Sequence, residues 1–107
     1  MLKYKITTTH GKHPIAEVKS DDERCVIAGE MLLAERGLLQ NLLDAVNSVL
    51  KDGKDCESFA GNAFSAFITR DTTKISNDIN GADTEIPTTD FKKLIKEYKR
   101  KNERLKR

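Results

Sequence analysis

The stretch Cys56-Glu57-Ser58-Phe59-Ala60-Gly61-Asn62-Ala63-Phe64-Ser65-Ala66-Phe67-Ile68-Thr69-Arg70 decides the class of fold. Phe64, Ala66 and Ile68 alternate with Ser65, Phe67 and Thr69, the period of two that marks a strand. Cys56 to Ala60 forms a shorter strand before it. Gly61-Asn62 fits a two-residue type II′ turn, with glycine at the first central position. Strands joined so tightly must be antiparallel. The bulky Phe67 on the second face points to a central strand, flanked on both sides.

Working towards the C-terminus, Arg70-Asp71-Thr72-Thr73 reads as another tight turn. Ile75 and Ile79, with polar residues between them, read as an edge strand. Residues 80–83 read as a loop. Pro87-Thr88-Thr89-Asp90 opens a helix capped by Thr88 or Thr89, and Phe91, Leu94, Ile95 and Tyr98 form its apolar stripe. Beyond Tyr98 only Leu105 is apolar, so residues 99–107 are expected to fray as a basic tail.

Working towards the N-terminus, Leu38, Leu39, Leu42, Leu43, Val46, Val49 and Leu50 make one broad stripe on a helix over 37–52. Gly53 serves as its left-handed terminator. Residues 20–35 send mixed signals. Ser20-Asp21-Asp22-Glu23 has the form of a capping box, which favours a helix from Asp21 to Glu35. The β-rich Cys25-Val26-Ile27-Ala28-Gly29 favours a strand over 25–34, and that is the expectation taken here. Leu2, Tyr4 and Ile6 alternate with Lys3, Lys5 and Thr7 as a first strand. His10-Gly11-Lys12-His13-Pro14 turns, and Ile15 to Val18 form a second strand. The predicted fold is α+β: an antiparallel, meander-like sheet with two main helices packed on one face, in a single domain over residues 1–98.

The chain has 107 residues, 37% hydrophobic and 34% charged. That suits one domain with a modest core. It excludes a collagen, a disulfide-dense toxin and a chain with a run of ~20 apolar residues able to span a bilayer. Met1-Leu2-Lys3-Tyr4-Lys5 lacks the apolar centre of a signal peptide, so a cytoplasmic location is expected. Two cysteines, Cys25 and Cys56, suit a reducing compartment as free thiols.

The net charge of +2 conceals an asymmetry. Residues 91–107 hold nine Lys/Arg against two acids, a balance of +7, while residues 1–90 hold ten against fifteen, a balance of −5. Such a split concerns partners rather than fold.

Motifs for catalysis are sparse. His10 and His13 with Cys25 and Cys56 are zinc-ligand types, but H-x2-H with two isolated cysteines matches no common zinc arrangement. No serine sits in a G-x-S-x-G setting, the glycines are too dispersed for a phosphate loop, and Glu30, Glu35, Asp71 and Asp78 read as isolated surface acids. The expectation is therefore a protein with no turnover, no metal and no cofactor. The basic tail could neutralise nucleic-acid phosphates, but it lacks an aromatic stacking platform.

Val49-Leu50-Lys51-Asp52-Gly53 leads into Phe59-Ala60-Gly61-Asn62-Ala63-Phe64-Ser65. Ile68 and Ile75-Ser76-Asn77 follow, then the helix opened by Pro87-Thr88-Thr89-Asp90. Over about residues 38–98 this order resembles bacterial immunity proteins of contact-dependent growth inhibition systems. The resemblance implies a cytosolic, non-enzymatic protein that binds and occludes a cognate toxin domain, often a nuclease. It carries no residue motif that transfers to this chain. The acidic body supplies the candidate partner-binding residues: Asp55 and Glu57 beyond one helix, and Asp71, Asp78, Asp83 and Glu85 on turns and loops. A basic nuclease is the expected partner, with nucleic acid held by the basic C-terminal helix as the alternative.

Overall fold

In the computed structural model, which describes residues 2–105, the stretch expected as a strand over 25–34 is instead a helix, α1 (Glu23–Ala34). Asp22 caps it, its carboxylate accepting from the Arg24 backbone N–H. The helix alternative for this stretch is thus the correct one, although the cap is Asp22 rather than the Ser20 of the expected capping box. Gly29, which argued against helix, is there for packing: a Cβ at Gly29 would lie 2.5 Å from the Val18 Cβ. A strand passes so close over α1 that only glycine fits. Cys25, Ile27, Ala28, Met31 and Leu32 are the other buried residues of α1.

The strand in question is β2 (Ala16–Lys19), paired antiparallel with β1 (Lys5–Thr8) in register Ile6 to Val18. A short 3-10 turn at Arg36–Leu38 follows α1 and leads into α2 (Leu39–Leu50). The expected leucine stripe is its core face, with Leu39, Leu42, Val46 and Val49 buried. Gly53 has φ +82°, as its terminator role requires.

Four strands then run as a meander: β3 (Cys56–Ala60), β4 (Phe64–Thr69), β5 (Thr72–Asn77) and β6 (Asp83–Pro87), in spatial order 3-4-5-6. The sequence reading missed β6. Residues 80–83 were expected as loop and the strand around Ile75 as an edge, whereas β5 is central and β6 is the edge. The α+β class holds, with two antiparallel sheets and three helices where one sheet and two main helices were expected.

Helix α3 (Thr88–Arg104) buries Phe91, Leu94, Ile95 and Tyr98. The Tyr98 hydroxyl donates to the Ala16 carbonyl at 2.7 Å, tying α3 to β2, and burial raises its pKa to about 12. Neither Thr88 nor Thr89 caps α3 with its side chain; the N-cap position is Pro87. The Thr88 hydroxyl instead donates to the Thr69 carbonyl at 2.7 Å and lies 2.9 Å from the Thr73 hydroxyl, which binds the helix start to the sheet. Residues 99–104, expected to fray, continue the helix because Asn102 is buried and Leu105 packs against the core. Lys106 and Arg107, the end of that expected tail, lie outside the described residues. No described helix is long and apolar enough to cross a membrane.

Candidate protein-docking face

The meander has one covered and one open face. Phe59, Phe64, Ala66, Ile68, Thr73, Ile75 and Ile86 are buried on the covered side. Their neighbours point outwards, and the strand registers align them in rows. One row runs Ser58, Phe67, Lys74, Glu85; a second runs Ala60, Ser65, Ser76, Asp83. Phe67 is therefore central, as expected, but 48% exposed on an uncovered face. Its cross-strand neighbours are Ser58 and Lys74, with Ser65 and Thr69 beside it along β4.

The end of the sheet carrying Asp78 is held by an unusual anchor. Glu35, just past α1, is fully buried. Its Oε1 accepts from the Asn62 N–H at 2.6 Å, and its Oε2 from the Ala63 and Phe64 N–H groups at 2.8 and 2.9 Å. Burial alone would push the carboxyl up, but these main-chain donors prevail and its pKa is lowered. The β3–β4 turn is consequently not type II′: Gly61 lacks positive φ. Glycine is needed there because a Cβ would run into the Glu35 carboxyl, which the turn's own N–H groups hold in place.

That turn in turn holds the β5–β6 loop. The Ala63 carbonyl accepts from the Asp78 N–H at 2.8 Å, and the Asp78 carboxylate accepts from the Ser65 hydroxyl at 2.9 Å. Within the loop, the Asn77 side chain accepts from the Ile79 and Asn80 N–H groups, and Asn80 from Ala82. Gly81 supplies the left-handed residue, φ +78°. The loop so fixed presents Ile79, which is 81% exposed.

The six candidate residues separate into groups. Asp83 and Glu85 lie exposed on the open face of β6, and Asp78 lies exposed in the loop just before it. Asp71 is exposed in the β4–β5 turn, at the other end of the sheet. Asp55 is exposed before β3, on the far edge. Glu57 is half-buried on the helix side of β3 and paired with Lys54 at 2.8 Å. Sequence reasoning missed Ile79 and Glu35. Ile79 had been placed in a strand, and Glu35 looked like any surface acid. Its buried role depends on a turn 27 residues away, which no local pattern reports.

The zinc-type side chains do not converge. His10 and His13 are exposed on the β1–β2 turn, Cys25 is buried in α1 and Cys56 is exposed at the start of β3. Among the described residues no three His, Cys, Asp or Glu side chains form a group able to hold a metal ion. No protein-family model, curated protein or solved structure matches this chain, so its open face stands on geometry alone.

Proposed function

We propose that this protein is a cytoplasmic immunity-type inhibitor that binds a basic toxin domain, a nuclease by its charge, and occludes its active site without turnover of its own. One observation carries the reading: Phe67 and Ile79 are exposed at 48% and 81% on a polar surface that carries Asp78, Asp83 and Glu85 against one cation, Lys74. Exposed aromatic and aliphatic anchors rimmed by charge suit a protein partner, since a few such residues dominate interface energy. The carboxylates add speed and selectivity towards a basic partner. Of the acids named from the sequence, Asp78, Asp83 and Glu85 belong to this face.

The test uses the toxin domain encoded directly upstream of this chain's gene. Co-expression with wild-type protein should restore growth. Phe67→Ala with Ile79→Ala should raise Kd by a hundredfold or more, mainly through faster dissociation. Asp78→Lys, Asp83→Lys and Glu85→Lys together should slow association, and that effect should shrink as the Debye length falls from ~8 Å at physiological ionic strength to ~3 Å at 1 M. Unchanged rates in both variants would reject this face. Failure of the wild-type chain to bind or protect would reject the immunity reading.

A further inference from the structure

We infer that the exposed side of α3, with Lys5 of β1, is a ridge that binds the phosphate backbone of nucleic acid without sequence preference. Lys92, Lys96, Arg100 and Arg104 follow one another at intervals of four, and Lys93 joins them on the same side. The row spans about 18 Å at 1.5 Å per residue. Lys93, Lys96, Arg100, Lys101 and Arg104 are exposed. None of the row forms an ion pair among the described residues.

Two acids stand beside it and offset part of its charge, against five cations in the row. Glu97 accepts from the Tyr4 hydroxyl at 2.7 Å, and Glu103 is paired with Lys99. Beside the ridge runs a groove of about 530 Å³ between β1 and α3, walled by Tyr4 and Lys5 on one side and by Arg100, Lys101, Arg104 and the Glu97 carboxylate on the other. At the opposite end Lys51, after α2, faces Lys92. Burial, Lys51 and Lys96 together pull the Lys92 ammonium below its ordinary range. Like charges repeated at four-residue spacing weaken a helix unless an anion joins them.

A linear row of cations fits a linear polyanion. An anionic membrane fits poorly, because the apolar side of α3 is buried in the core and an interfacial helix must insert that side. The ridge points away from the sheet that α3 covers, so the open face and the ridge can be occupied together. The inference does not depend on the toxin partner.

The experiment is fluorescence anisotropy of the full chain with a labelled mixed-sequence 20-mer, as single-stranded RNA and as duplex DNA, at 50 and 200 mM salt. Micromolar binding is expected at 50 mM. Contacts to about four phosphates should give a log–log salt slope near −3.6 on duplex, roughly a 150-fold loss between the two salts. Lys96→Glu with Arg100→Glu should weaken binding at least tenfold and flatten the slope. The milder Lys96→Gln with Arg100→Gln should do so in part, and serves if the reversed pair unfolds. Lys96→Arg with Arg100→Lys should bind as wild type. Lys12→Glu with Lys74→Glu, an equal change in net charge on other faces, should lose less than threefold. The inference is overturned if that control loses as much as the ridge pair, or if wild type does not bind at 50 mM. Binding to phosphatidylserine vesicles without binding to either nucleic acid would also overturn it.

Discussion

A carboxylate with no solvent contact is stable only where donors replace its water, and Glu35 finds three consecutive main-chain N–H groups. Glu35→Gln turns one of its two oxygens into an NH2 group that faces donors. It should cost about 2–4 kcal/mol, since a buried group left unsatisfied forfeits its full desolvation energy. The pH dependence has a definite sign. The folded pKa of Glu35 lies below the ordinary carboxyl value. Its contribution is therefore complete above the unfolded value of about 4.3 and is lost as pH falls through the folded value. Thermal melts of wild type and Glu35→Gln should be far apart at pH 7 and converge below about pH 4. A gap that stays constant on acidification would mean that the charge is not what holds the turn.

At the scale of elements, α1 and β2 meet through Gly29 and Val18. Gly→Ala in a helix interior ordinarily stabilises by up to ~1 kcal/mol. Here the added methyl would sit 2.5 Å from the Val18 Cβ, so Gly29→Ala should lower the melting midpoint instead. Because the obstacle includes Val18 Cβ itself, trimming the valine should relieve only part of the strain. The double variant Val18→Ala, Gly29→Ala should therefore melt above the sum of the two single effects, a coupling that a double-mutant cycle reads directly. Simple additivity would show that the contact is not the reason for the glycine. The same close approach explains why local composition misled the reading of residues 25–34. A glycine that serves packing between elements is indistinguishable, along the chain, from one that breaks a helix.

For the molecule as a whole, charge is segregated: carboxylates gather at the open sheet and its loop, cations along α3. The cationic row should carry a stability penalty in the free protein. Lys96 stands three or four residues from Lys93, Lys92 and Arg100, all of like sign. Lys96→Glu replaces those repulsions with attractions, each ~0.2–0.5 kcal/mol, and should raise stability by roughly 1 kcal/mol at low salt. The gain should fade by about 1 M salt, where the Debye length is ~3 Å. Denaturant titrations at both salts check it. A lower midpoint for Lys96→Glu at low salt would mean that Lys96 has an attractive partner and that the row is not under strain.

Features whose cause is local were legible along the chain. Period-two alternation marked β1 and β4, the leucine stripe marked α2, the Phe91–Tyr98 stripe marked the packed part of α3, and Gly53 marked a helix end. Together they settle an antiparallel α+β domain, because short turns and amphipathic periods are properties of neighbouring residues. Tertiary structure decided the rest. It gave Gly29 its reason inside the helix over 23–34, where β2 passes too close for a Cβ. It made β6 the edge strand by pairing it to β5, and it carried α3 to Arg104 by burying Asn102. It left Phe67 uncovered, because the helices lie on the other side of the meander, and it set Asp83 and Glu85 on the open face of β6 with Asp78 in the loop before it, while Asp55 and Asp71 lie at the opposite end and Glu57 turns to the covered face. The physical reason is the same throughout: a side chain's environment is set by what packs against it from distant parts of the chain, and Glu35, silent in sequence, is anchored by a turn it meets only in the folded state.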